Sequence, residues 1–280
     1  MFRYSVIIPQ QERGDEVRRQ LPALAAALDQ FAKPYEIIVV DDGSAHATLR
    51  LLEKLLSDFP SLRLLRLDDP VGVSVALTAG VRAARGEVLI AIEPGDVYPP
   101  HQIFKLIEGL QRADFMAGRR RQVGLAKLWH RITRLPRWLL LGLDGHDPDC
   151  LFWAARREVL ADITLSPGTA RYLPALIARR GFRACETYVD YRGNWRPLQD
   201  VHSSAGDLLA AWWHCRRWRN SAAYELTAGR AAQPLLRIVA AQETSNSSDE
   251  VAADTAPAIR FDHAEPKPAG LHYPPVVKHA

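Results

Sequence analysis

Apolar residues change their spacing repeatedly along the first 120 positions. Tyr4–Ile8 is a short, β-branched run closed by Pro9, and predicts a buried strand. From there the apolar positions shift to Val17, Leu21, Leu24 and Leu28, a helical stripe. Tyr35–Val40 predicts a second strand, and Leu49, Leu52, Leu55 and Leu56 mark one side of a second helix. Leu62–Leu67, a helix from about Val73 to Ala84, and Glu87–Ile92 continue the alternation. After Pro99-Pro100 a helix from His101 to Leu110 leads into a strand at Asp114–Gly118. Strands and helices alternating at this spacing imply an α/β fold: a mostly parallel sheet with helices on both faces.

Beyond residue 118 the pattern changes. Arg119 to Trp138 holds six arginines and one lysine, with no acid before Asp144, interleaved with Trp129, His130 and Trp138. Order returns with a short segment at Leu151–Ala155, helical patterns at Arg156–Asp162 and Thr169–Arg180, and a strand at Ala184–Val189. A last helix is expected over 205–219, with Leu208, Ala211, Trp212, Cys215 and Trp218 on one side. This organisation predicts a single domain over 1–225, including the basic, aromatic segment 119–143, followed by a tail over 226–280. From about residue 241 the tail is Ser-, Asp-, Ala- and Pro-rich, a composition that predicts disorder.

Charge sharpens this division. The whole chain carries +4, yet from Ala241 onward six acids face three Lys/Arg, which leaves about +7 on the preceding residues. A basic folded part suits phosphate-bearing ligands or an anionic membrane surface, and no nucleic-acid-binding motif is present. Cys150, Cys185 and Cys215 show neither CxxC spacing nor an even count, so neither a disulfide framework nor a zinc knuckle is indicated. That usage fits a reducing, cytoplasmic setting. The N-terminus lacks a signal-peptide pattern, and Trp138–Leu143, the longest strongly apolar run, is too short to span a bilayer.

In open parallel sheets ligands sit beyond the carboxyl ends of the strands. The residues there are Pro9-Gln10-Gln11-Glu12, Asp41-Asp42-Gly43-Ser44 and Glu93-Pro94-Gly95-Asp96. All three clusters are polar or acidic, and their convergence predicts a binding mouth.

Tyr4-Ser-Val-Ile-Ile-Pro9 and Tyr35-Glu-Ile-Ile-Val-Val-Asp-Asp-Gly-Ser44 resemble the opening of family 2 glycosyltransferases with the GT-A fold. Gly72 through Glu87 and the pair Pro99-Pro100 follow the same family's pattern. Asp147-Pro-Asp-Cys150 and Arg156-Arg-Glu-Val-Leu160 resemble the downstream block of polyprenyl-phosphate sugar transferases. The likeness implies a GT-A-type nucleotide-binding sheet and transfer of a sugar from a nucleoside-diphosphate donor. Its acceptor would be a polyprenyl phosphate at a membrane surface, with the protein peripheral to that membrane.

Site roles carried over by resemblance are these. Pro9, Gln11, Glu12, Asp41 and Asp42 border the nucleoside, and Asp147 or Asp149 stands near the acceptor. Glu93 and Asp96 hold Mg²⁺ or Mn²⁺ on the diphosphate, because a leaving diphosphate gains charge that carboxylate-held metal or arginine must neutralise. Arg119, Arg120 and Arg121 meet donor or lipid phosphate.

The chain departs from the family pattern in several places. The Asp-x-Asp motif reads Glu93-Pro94-Gly95, with Asp96 one place later; Gln11-Glu12-Arg13 replaces an asparagine-glutamate; Val73, Leu151 and Trp153 replace a polar residue, a glycine and a basic residue. These departures keep two other functions open: a catalytically silent relative that binds a nucleotide or partner in the same cleft, and a peripheral membrane module.

Overall fold

Strand β1 (Tyr4–Gln10) is buried along its whole length, which requires apolar cover on both faces. The computed structural model describes residues 3–121, 147, 150–161, 163, 165 and 168–193, together with the backbone of 236–240. All of these lie within a unit spanning Met1–Asn246.

After β1 come α1 (Gly14–Asp29), β2 (Tyr35–Asp42), α2 (His46–Asp58), β3 (Leu62–Leu67), α3 (Val73–Ala83) and β4 (Val88–Ile92). A 3-10 turn at Pro100–Gln102 precedes α4 (Ile103–Gly109) and β5 (Phe115–Arg120). Then follow β6 (Phe152–Arg156), α5 (Arg157–Leu160), a second 3-10 turn at Ala170–Tyr172, α6 (Leu173–Arg179), β7 (Ala184–Val189) and β8 (Leu236–Ala240).

The eight strands form one sheet in the order β7-β5-β6-β4-β1-β2-β3-β8. Strands β3, β2, β1 and β4 run parallel, β6 is antiparallel to both β4 and β5, and β7 is parallel to β5. Side chains alternate across the sheet. Val6, Ile8, Ile37, Val39 and Ile90 face a core closed by Val17, Leu21, Leu24 and Leu28 of α1, Leu52 of α2 and Leu106 of α4. Ile7, Ile38, Val40, Leu89 and Ala91 face the opposite core, closed by Leu77 of α3, Val159 of α5 and Leu176 of α6. The expected α/β fold, with helices on both faces of a mostly parallel sheet, is the observed one.

Differences are local. The helix expected from His101 starts as a 3-10 turn that opens on Pro100, and the one expected from Thr169 starts as a 3-10 turn before Pro174. The segment expected at Leu151–Ala155 is an antiparallel strand between parallel neighbours. Strand β8 lies beyond the expected boundary at residue 225 and pairs antiparallel with β3. Its sequence, Leu-Arg-Ile-Val-Ala, is short and largely apolar, which suits a strand. The expected helix over 205–219, and the basic segment from residue 122 on, lie outside the described residues.

Candidate functional site

The sheet opens where β1 and β4 part. Their ladder ends at Ile7↔Ala91, whereas the β1–β2 ladder continues to Gln10↔Asp41. Pro9 lacks an N–H and cannot extend the β4 side. Strand order also reverses here: the chain moves from β1 outward to β3, then returns to place β4 on the other side of β1. Such a switch point is where open α/β sheets bind ligands.

Register places the first two expected acids on different faces. Asp41 pairs with Gln10, whose amide Nε2 donates to Asp41 Oδ1 and, at 3.3 Å, to Ser44 Oγ. Asp41 is fully buried, and its Oδ2 has no partner among the described residues. Burial raises its pKa, with Ser44 opposing. Asp42 points the other way and accepts the backbone N–H groups of Val71 and Gly72, each at 2.8 Å. It therefore shapes the entry to α3. Gly43 lets the two loops meet: its φ is +65°, and a Cβ there would come 2.5 Å from Pro70 N.

Gln11 and Glu12, also expected at the nucleoside, are exposed. Glu12 is turned toward α2, where its carboxylate accepts Ala45 N at 2.5 Å and Thr48 Oγ1 at 2.7 Å. Those bonds lower its pKa. It caps that helix.

Helix α1 reaches across to the loop after β4. Gln20, buried in the apolar stripe, donates to Glu93 O at 3.1 Å and accepts from Gly95 N at 3.2 Å. Arg13, at the start of α1, donates from Nε to Glu16 Oε2 at 2.8 Å and from NH2 to Pro94 O at 2.9 Å. Its NH1 lies 3.4 Å from Glu93 Oε1, a long contact. Burial raises the Glu93 pKa, partly offset by Arg13 and Arg120. Asp96 is exposed.

A second cluster lies at the end of β5. Arg120 and Asp147 are both buried; Asp147 Oδ2 accepts Arg120 N at 3.0 Å and Nε at 2.8 Å, and Oδ1 accepts NH2 at 2.7 Å. The Arg120 guanidinium lies over Tyr191, 5.1 Å from the ring centroid. Tyr191 packs against Tyr98, whose hydroxyl is 3.3 Å from Cys150 Sγ. Burial pushes the Cys150 thiol up to about 12. Arg119 and Arg121 instead flank the exposed ring of Tyr188, at 4.8 and 5.9 Å.

Of the residues expected at the mouth, Asp41 sits beside Gln10, and Glu93 sits beside Arg13. Asp42, Glu12 and Asp147 are engaged in bonds that shape loops, and Asp149 lies outside the described residues. Arg13 and Gln20 are additional. Gln20 carried a sequence signal, being a polar residue three positions after Val17 on an otherwise apolar stripe.

Strand order, the β1–β4 opening and paired strand-end acids are accompanied by a match of residues 5–164 to the Glycosyl transferase family 2 model. The chain belongs to glycosyl transferase family 2. The chain is similar to the undecaprenyl-phosphate 4-deoxy-4-formamido-L-arabinose transferase of Pseudomonas fluorescens (strain Pf0-1), 27% identical over 178 residues, covering 61% of this chain and 52% of the relative. The dodecaprenyl-phosphate galacturonate synthase of Rhizobium johnstonii is 29% identical over 187 residues, covering 62% and 54%. The dolichol-phosphate mannosyltransferase of Pyrococcus furiosus is 29% identical over 177 residues, covering 59% and 49%. The chain spans about half the length of these curated relatives.

Among solved structures, glucosyl-3-phosphoglycerate synthase from Mycobacterium tuberculosis with Mn²⁺, UDP-glucose and phosphoglyceric acid superposes with a TM-score of 0.58 at 19% identity. The match covers 76% of this chain and 79% of that one. Mannosyl-3-phosphoglycerate synthase from Rubrobacter xylanophilus gives 0.53 at 14% identity, covering 80% and 77%. These are likenesses of fold.

Whether this chain's β4 loop suits a divalent ion depends on its donors. Such ions take several oxygen ligands. Glu93 Oε1 faces a guanidinium, the acid position two residues on is glycine, and Asp96 is exposed. Among the described residues, no three His, Cys, Asp or Glu side chains converge. Protein side chains alone therefore offer no cation cage among the described residues, and Arg13 stands on the Oε1 side of Glu93.

Proposed function

We propose that this chain transfers a sugar from a nucleoside-diphosphate donor to a polyprenyl phosphate at a membrane surface. The observation that carries the reading is Asp41 Oδ2, a buried carboxylate oxygen without a partner among the described residues, at the switch point of a family 2 sheet. A buried acceptor without a donor is costly, and a base N–H or ribose O–H would satisfy it.

In the transfer, an acceptor phosphate oxygen attacks the anomeric carbon while the bond from that carbon to the diphosphate breaks. The electron pair leaves with the nucleoside diphosphate. An ionised phosphate needs no base to remove a proton. The engagement of Asp147 by Arg120 accords with such an acceptor, and its role is to hold Arg120 over the Tyr191 ring. Arg119, Arg121 and Tyr188 offer outward cations and an aromatic ring to lipid phosphate. Among the described residues no helix is long and apolar enough to cross a membrane. No observation favours the catalytically silent alternative.

The test is release of nucleoside diphosphate from UDP- and GDP-sugars, with and without undecaprenyl phosphate in detergent micelles. Release that depends on the lipid phosphate is expected. No release with any donor, together with no nucleotide binding, overturns the proposal.

A further inference from the structure

The family fold suggests a metal-bound diphosphate, yet the β4 loop is built around a guanidinium. Arg13 lies between Glu93 and Glu16, anchored by its bond to Pro94 O at 2.9 Å and by paired bonds to Glu16. Gly95 explains why a second loop acid is missing. Its φ is +106°, and a Cβ at this position would come 3.0 Å from Glu16 Oε2 and 3.7 Å from Arg13 NH2. A side chain at residue 95 would therefore point into the space that the Arg13–Glu16 pair fills, from a backbone conformation disfavoured for any L side chain. The missing acid and the added cation are two aspects of one arrangement.

From this juxtaposition we infer that Arg13 takes the place of the divalent ion, so that the chain binds the diphosphate of its donor without metal. The inference rests on the nucleoside-diphosphate reading above. Arginine is well matched to a diphosphate, since its charge is permanent and its planar fork fits phosphate oxygens. Nε and NH2 are fixed by Glu16 and Pro94, whereas NH1 makes only the 3.4 Å contact to Glu93 among the described residues. A phosphate oxygen can displace so long a contact without dismantling the anchor. Glu16 is about a third exposed, so solvent screens its charge.

The test is calorimetric titration of the full chain with UDP and GDP, and with the matching nucleosides, in EDTA and in Mn²⁺. Wild type is expected to bind its preferred diphosphate with affinities equal within roughly twofold in the two buffers, well under 1 kcal/mol apart. Arg13→Ala should weaken diphosphate binding roughly tenfold or more, as expected for loss of a charge-assisted bond, while leaving nucleoside binding unchanged. Arg13→Lys, which keeps the charge, should retain part of the affinity and guards against a folding defect. A diphosphate affinity roughly tenfold stronger in Mn²⁺ than in EDTA overturns the role of Arg13 and leaves the nucleotide site standing. Equal losses of nucleoside and diphosphate affinity in both Arg13 variants also overturn it. Absence of diphosphate binding in either buffer removes the nucleotide reading itself.

Discussion

The amide of Gln10 donates to Oδ1 of Asp41, while Oδ2 of the same carboxylate is enclosed with no donor among the described residues. A half-satisfied buried carboxylate is a poor element of stability and a good element of recognition. Asp41→Asn keeps the shape, removes the charge and can still offer an oxygen to Gln10. It should weaken nucleotide binding by roughly 1.5–3 kcal/mol, the worth of a hydrogen bond to a charged group, while the apo protein is no less stable. Calorimetric binding and urea unfolding check the two halves. Equal loss of both would make Asp41 a structural residue.

The same substitution has a signed pH dependence. Burial raises the folded-state pKa of Asp41 above 3.8. Between that value and the raised one, the folded chain keeps a proton that the unfolded chain has released. Stability from this residue therefore falls as pH rises through the window and is constant above it. The advantage of Asp41→Asn over wild type should be largest above the window and vanish as pH drops below about 3.8. Urea unfolding of both proteins across this range is the measurement; an advantage that grows on acidification contradicts the assignment.

Asp42, its neighbour, predicts the opposite behaviour. Asp42→Ala strands the N–H groups of Val71 and Gly72 and should cost about 2–4 kcal/mol, taking roughly 1–2 for each partly buried donor. Asp42→Asn, which keeps one acceptor, should cost about half as much. Denaturant midpoints distinguish these values, and equal effects of the two variants would argue against the two-donor account.

Arg120 and Asp147 form a buried, three-bond pair. Removing either partner alone should destabilise the protein by about 3–5 kcal/mol, because the other charge is left buried and unpaired. Replacing both with apolar residues of similar size should cost less than the sum of the single changes. A double-mutant cycle reads this coupling directly. Additive losses would mean that the two side chains do not depend on each other.

Much of the fold was legible because its elements are strongly periodic. Leu62–Leu67 and Ala184–Val189 are strands over the expected residues, and the helix expected over Val17–Leu28 runs from Gly14 to Asp29. The mouth was legible for a topological reason, since polar clusters after three parallel strands must meet at one end of the sheet. Strand direction was not legible: the apolar run Phe152–Ala155 carries no sign, so its antiparallel insertion emerges only from pairing. Nor was the sorting of Asp41 from Asp42, which depends on the face each occupies. Arg13 eluded a strand-end search because it begins a helix, and its partner Glu93 lies 80 residues away. The bonds of Asp147 to Arg120 span 27 residues and leave no local trace in its motif.

The chain leaves the sheet at Arg120 and has returned to the same ion pair by Asp147. Bringing these two residues together carries a loop-closure cost that grows only logarithmically with length, about 0.6 kcal/mol per doubling. The three bonds between them tie two positions 27 residues apart into one buried point, so the end of β5 inherits its placement from both.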